Sequence, residues 1–265
     1  ERAMKASDFV TLTAHAAHYR LINLSFSTDA SHFAAGLVAH GYGFPNPNGR
    51  RMRPGDYIHI PWEKILPESI RGSSTAFEIM ATVMLLIQEW ITGLSAENTR
   101  AKCHGAKPVI TIFKDNLGDI QSVLKDRARA GYAGPAIRYQ QLVKQEGVRV
   151  FAYHMGTDLI PADAVSRAGK PNWKQDFHRR LDAVGLDPKH QGKPWVAKAG
   201  WENELSRADE LSRKYHPNYT ITFVRRRRRK RRLIWVARLS TGRLMLLTRR
   251  GELYCFRHEK VMPLA

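Results

Sequence analysis

Between residues 21 and 60 the chain offers three apolar segments, each too short for a stable helix and each closed by residues that interrupt regular structure. Residues 21–26, 34–42 and 56–60 read as strands. Between the second and third lies Gly43-Phe44-Pro45-Asn46-Pro47-Asn48-Gly49, whose Pro, Gly and Asn content predicts an enlarged hairpin loop. Three consecutive antiparallel strands are the simplest arrangement. Such a sheet needs an apolar cover, and the next segment supplies one.

Phe77, Met80, Met84, Ile87 and Ile91 recur at helical spacing, which predicts a helix over 75–91 with one apolar face. Residues 109–113 form a short β-branched run of the buried-strand type. Asn116 can cap a helix running to about residue 128, and Pro135 opens another that ends before Gly147. Residues 148–153 alternate as a last strand, and a short helix begins near Ala162. The order β-β-β-α-β-α-α-β-α predicts an α/β protein, of the mixed α+β kind, in which a five-stranded mixed sheet is flanked by helices.

After Arg167 the texture changes. Trp173, Phe177, Leu181 and Val184 predict an amphipathic helix, residues 202–215 a second polar one, and the end of the chain a small β-meander with strands over 219–224, 233–239, 244–248 and 252–256. The chain thus divides into an N-terminal extension (1–19), a main domain (20–168), a helical connector (169–217) and a basic β-rich extension (218–265).

Charge follows the same division. Residues 1–170 carry 20 basic against 15 acidic side chains, whereas 171–265 carry 23 against 9, so most of the formal +19 sits in the tail. Its densest point is Arg225-Arg226-Arg227-Arg228-Arg229-Lys230-Arg231-Arg232. A polyanion is the natural partner, because each neutralised phosphate releases counterions along the strand. With His216, Tyr219, Trp235 and Tyr254 nearby, base stacking can add to it, although a solvated loop or a localisation address has the same composition. The run is not laid out as an amphipathic membrane anchor. A span of about 18 apolar residues is lacking, as is the layout of a signal peptide, so an intracellular, non-secreted protein without membrane partners is expected. Opening on Glu1, the chain reads as a processed product or part of something longer. Cys103 and Cys255 lie far apart and outside any zinc-ligand spacing, which points to reduced structural thiols.

Four acids fall where this architecture can bring them together. Asp29 ends the first strand and Asp115 leaves the fourth; if those strands are parallel neighbours, both carboxylates stand at the carboxyl edge of the sheet. Glu78 lies one turn into the first helix and Asp163 at the start of the last. Clustered carboxylates repel and, when desolvated, resist ionisation unless a cation compensates. A hard ion with oxygen ligands suits them: magnesium, with manganese as a substitute in vitro. Two such ions about 3.5 to 4 Å apart can activate water and steady a departing oxygen, which is phosphodiester hydrolysis. Each acid also has an ordinary reading. Thr75-x-x-Glu78 is a capping box, Asp163 a helix-start acid and Asp115 a turn acid.

Thr28-Asp29-Ala30-Ser31, Ser74-Thr75-Ala76-Phe77-Glu78, Phe113-Lys114-Asp115-Asn116 and Ile160-Pro161-Ala162-Asp163-Ala164-Val165-Ser166-Arg167 resemble the successive motifs of retroelement ribonuclease H domains, of the long-terminal-repeat or tyrosine-recombinase type. The resemblance spans residues 20–168, and its last motif is the most specific. It implies a ribonuclease H-like fold and cleavage of the RNA strand of RNA·DNA hybrids, with Asp29, Glu78, Asp115 and Asp163 as metal ligands and Ser31 and Asn116 beside the nucleic acid. His154, on what reads as a flexible stretch before Asp163, resembles the family histidine that assists product release or proton transfer; a surface histidine is the plain alternative. A reverse transcriptase would then be the associated enzyme. Lys114 stands where the family has Thr or a small residue. The competing expectation is a domesticated, catalytically idle relative, serving as a structural RNA-binding component of a large ribonucleoprotein such as a ribosome; the basicity of the tail speaks for it.

Overall fold

The computed structural model describes residues 23–41, 52–88, 109–125, 127–128, 132–146, 148–186 and 192–214, together with the strand segments 221–224, 235–239, 244–247, 253–257 and 260–263. The N-terminal extension, the 43–49 loop, Cys103 and the basic run Arg225–Arg232 lie outside the described residues.

The strands are β1 (Asn23–Ala30), β2 (Ala34–Ala39), β3 (Tyr57–Pro61), β4 (Val109–Lys114), β5 (Arg127–Ala128), β6 (Arg149–His154) and β7 (Pro194–Trp195), followed by β8 (Ile221–Val224), β9 (Trp235–Leu239), β10 (Leu244–Leu247), β11 (Leu253–Arg257) and β12 (Lys260–Pro263). The helices are α1 (Glu68–Arg71), α2 (Ser74–Ile87), α3 (Leu117–Lys125), α4 (Ala133–Glu146), α5 (Pro161–Ser166), α6 (Trp173–Ala183) and α7 (Glu202–Lys214). The first sheet has the order β6-β4-β1-β2-β3-β7 and is mixed, with β1, β2 and β3 antiparallel and β1, β4 and β6 parallel. The second has the order β12-β11-β10-β9-β8-β5. Among the described residues no helix is long and apolar enough to cross a membrane.

The expected strands and helices occur in the expected order, but α1 and β5 are added between them. The helix expected over 75–91 ends at Ile87, where Gln88 turns to extended backbone, and further corrections concern the sheet and α3. The first sheet has six strands, because the short β7, in the segment expected as a helical connector, adds parallel to β3. The buried Asp56 carboxylate holds it there, accepting from the Lys193 backbone at 2.9 Å, from Trp195 Nε1 at 3.0 Å and from the Arg53 backbone at 2.8 Å. The helix opened by Asn116 stops at Lys125 rather than near 128, since Arg127 and Ala128 pair with β8. In the meander, β12 extends the expected set.

Alternation along the strands sends successive side chains to opposite faces. Leu24, Phe26, Leu37, Ile58, Ile60, Ile110 and Ile112 meet Met80, Met84 and Ile137 on one side, while Val38 and Phe113 meet Val165, Phe177 and Leu181 on the other. Helices α2 and α4 therefore cover one face, and α5 with α6 the opposite one; α7 packs on α4.

Helix α5 sits unusually close to β2. A Cβ built on Gly36 would lie 2.3 Å from the Ala162 carbonyl oxygen and 2.6 Å from the Ser166 nitrogen, so the position has no room for a side chain. His59 Nδ1 adds a contact to the Val165 carbonyl at 2.9 Å. Gly36 is also the cross-strand partner of Asp29, so the seat of α5 on the sheet is beside that acid. Gly36→Ala is expected to lower the unfolding free energy by about 1–3 kcal/mol, read from denaturant melts; a neutral substitution would show that α5 is not seated there.

Candidate metal centre

The parallel register of β1 and β4 pairs Ser27 with Phe113. Two residues further along each strand come Asp29 and Asp115, on the same face of the sheet by the same alternation. Glu78 arrives from the opposite side. Helix α2 begins with Ser73 as its cap, whose hydroxyl accepts from the Ala76 backbone at 3.3 Å. The Glu78 side chain is thereby free of the capping box and turns to the sheet edge, where Oε1 accepts from the Ala30 N–H at 3.2 Å. Asp29, Glu78 and Asp115 each offer a carboxylate oxygen, and these atoms lie within 4.8 Å of one another. Asp29 and Glu78 are buried and Asp115 is half-buried.

Neighbouring groups fix each of the three. The Ser166 hydroxyl donates to Asp29 Oδ2 at 2.5 Å. Burial pushes the Asp29 carboxyl up to about 6, with the Ser166 hydrogen bond pulling against it and the Asp163 and Asp115 charges adding to it. Burial also lifts Glu78 well above the usual carboxylate range, opposed by Lys114. His154, at the end of β6, places Nε2 3.1 Å from the Asp115 carbonyl and so orients the backbone that carries this acid. The flexible stretch expected around His154 is instead strand, paired across to Lys114, because the alternating run extends one residue beyond the expected end.

Lys114 is the feature that residue patterning did not expose. One position before Asp115, it points to the other face and is completely buried under α2. Its Nζ lies 2.5 Å from Asp119 Oδ2, 2.8 Å from Thr28 Oγ1, 2.9 Å from the Glu78 carbonyl, 3.0 Å from Thr82 Oγ1 and 3.3 Å from Glu78 Oε2. Burial alone would pull its pKa down, but Asp119 and Glu78 outweigh that and hold it above the ordinary lysine value. A permanent ammonium therefore stands directly behind the carboxylate group. The strand-forming run 109–113 and the acid at 115 bracket this lysine, and its position between Ile112 and Asp115 on an alternating strand was the available signal.

Asp163 is near enough for its charge to act on Asp29 but does not share the common spacing of the trio. In the first turn of α5, its Oδ1 pairs with Arg167 at 2.5 Å and its Oδ2 with Arg180 at 2.8 Å. Burial lifts its carboxyl above the usual range, while the two guanidiniums pull it down. Ser31 and Asn116 organise turns: Ser31 Oγ donates to the Ser166 carbonyl at 2.7 Å and accepts from the Phe33 and Ala34 amides, and Asn116 Oδ1 accepts from the Asp119 amide at 3.0 Å as the cap of α3. Trp62 Nε1 donates to the Ser31 carbonyl at 3.0 Å, which steadies the β1–β2 turn beside the acids.

The three oxygens suit one hard divalent ion. The donors are all carboxylate, their spacing allows common coordination, and the two deepest acids are held against ionisation by burial, the state that a bound cation relieves. Among the described residues no other group of three His, Cys, Asp or Glu meets that spacing.

Two outcomes follow. Lys114→Met should cost about 3–5 kcal/mol, because it strands the Asp119 charge in the core; adding Asp119→Leu should recover part of that loss, giving a favourable coupling in a double-mutant cycle by urea melts. For Asp29 the folded pKa lies above the unfolded one, so its contribution to stability is fully present below about pH 4 and is lost as pH rises through about 6. In chelator, Asp29→Asn should therefore stabilise the protein at pH 7 by up to about 3 kcal/mol and leave it unchanged near pH 4; a pH-independent difference in melts would refute the assignment.

No family model, curated protein or solved structure matches the chain, so the functional reading rests on this geometry and on the motifs that carry it.

Proposed function

We propose that the chain is a ribonuclease H-like, divalent-metal-dependent endonuclease that hydrolyses the RNA strand of RNA·DNA hybrids. The observation that carries this reading is the convergence of Asp29, Glu78 and Asp115 to within 4.8 Å at the carboxyl edge of a mixed sheet. Support comes also from motif order: the acids occupy strand, helix and strand in the succession that the family resemblance implies.

Asp29, Glu78 and Asp115 would hold the ion, magnesium by the chemistry of their oxygens. Bound there, it supplies Lewis acidity toward a phosphoryl oxygen and a lowered pKa for coordinated water. The chain's own residues do the positioning. Ser166 fixes one Asp29 oxygen and leaves the other for coordination, the Ala30 amide aims Glu78, and His154 braces the Asp115 backbone. Lys114 keeps Glu78 paired from behind without occupying the front of the site. The basic extension adds sequence-independent affinity for the substrate backbone, and a reverse transcriptase is the partner that would generate such hybrids.

One observation favours a second reading. Lys114 and the Arg167–Arg180 pair already supply positive charge to the acids, which is what an idle ribonuclease H-fold protein in a large ribonucleoprotein would need for stability without metal. Cleavage of a labelled RNA·DNA hybrid separates the two. Activity with magnesium or manganese that Asp115→Asn reduces by about a hundredfold or more is the expected result. Tight, salt-sensitive RNA binding with no cleavage at any metal concentration would establish the idle alternative.

A further inference from the structure

On the reading just given, Asp163 would be expected among the metal ligands, yet both of its oxygens are engaged by arginine. Arg180 is buried and anchored four ways: to Asp163, to Asp176 Oδ2 at 2.8 Å, to the Ile160 carbonyl at 3.2 Å and to the Thr157 carbonyl. It is part of the core. Arg167 differs: its side chain is 47% exposed while its guanidinium touches Asp163 Oδ1 at 2.5 Å. One oxygen of Asp29, Oδ2, accepts from Ser166. Both Asp163 oxygens are thus taken by protein donors and neither is left for a second ion.

The surroundings of Arg167 are those of a polynucleotide contact. Ser31 ties the β1–β2 turn to the end of α5, which brings the half-exposed Phe33 to the same rim. Lys170 Nζ stands 5.5 Å from the Phe33 ring centroid. A guanidinium offers paired donors matched to phosphate geometry, and beside it are a second cation and an aromatic face.

We propose that Arg167 binds a substrate phosphodiester and takes up the Asp163 oxygen that a second ion would need, so that the site takes a single divalent ion. Asp163 serves as its positioning residue: it holds the guanidinium at the rim instead of ligating metal. Because the phosphate would meet a fixed cation on this side and an exchangeable one at the trio, metal occupancy and phosphate recognition are separable here.

The test uses the full chain. Manganese titration followed by electron paramagnetic resonance should give one tight ion in the wild type, an unchanged affinity in Asp163→Asn, and loss of binding in Asp29→Asn. Asp163→Asn retains the Arg180 contacts to Asp176 and to the two carbonyls, and circular dichroism melts check that it folds. In parallel, hybrid affinity is measured against salt in chelator. Arg167→Ala should flatten the log–log salt dependence by about one unit and Arg167→Lys should restore it; the basic extension contributes equally to all of these proteins. Two tight ions in the wild type, a manganese affinity that falls in Asp163→Asn as far as in Asp29→Asn, or identical salt slopes for wild type and Arg167→Ala would each overturn the proposal while leaving the metal-dependent nuclease standing. Absence of manganese binding in the wild type overturns the nuclease reading and the single-ion claim together, and the salt slopes alone then decide whether Arg167 contacts phosphate.

Discussion

The parallel pairing of β1 with β4 is the constraint on which the rest depends. Its register brings Asp29 and Asp115 level on one face, and the same alternation brings Thr28 and Lys114 level on the other, where Lys114 Nζ meets Thr28 Oγ1 at 2.8 Å. A slip of one residue would exchange the faces, burying the acids under α2 and turning the lysine outward. Apolar packing enforces the register from both sides, since Phe26 and Ile112 belong to one core cluster and Phe113 to the other. Fold stability and site geometry are therefore set by the same backbone ladder.

Electrostatics then divides the acids into two groups by their partners. Asp29, Glu78 and Asp115 share one small volume and hold at least one carboxyl pushed up to about 6, a state that favours binding a cation. Asp163 and Asp119 are already compensated, by Arg167 and Arg180 in one case and by Lys114 in the other. Each fixed cation sits outside the trio, behind it or beside it. Buried charges survive only with such partners.

Helix α5 links the two groups. Six residues long, it could not persist alone, and it is held by its close approach at Gly36, by the His59 contact and by α6 packed against it. In return it delivers Ser166 to Asp29, Asp163 to the arginines and Arg167 to the rim. The segment after residue 168, set apart in the sequence by its composition, contributes directly to this arrangement: Arg180 of α6 completes the Asp163 clamp, and β7 extends the sheet.

The amino-acid sequence by itself determined the order of the main strands and helices, the Asn116 cap and the amphipathic helix carrying Phe177, because these follow from local periodicity and capping chemistry, whereas the parallel pairing of the strands bearing Asp29 and Asp115 was decided by the tertiary structure. The sequence also marked the acids. Tertiary structure alone decided which of them share a site. Whether Glu78 caps its own helix or faces the sheet, whether Asp163 stands free or in an arginine clamp, and whether Lys114 is solvated or buried among five oxygens all turn on partners distant in the chain, such as Ala30 for Glu78, Thr28 for Lys114 and Arg180 for Asp163. Local spacing carries no information about such contacts, since the energy that selects them comes from burial and charge compensation once the sheet and its helices have closed together.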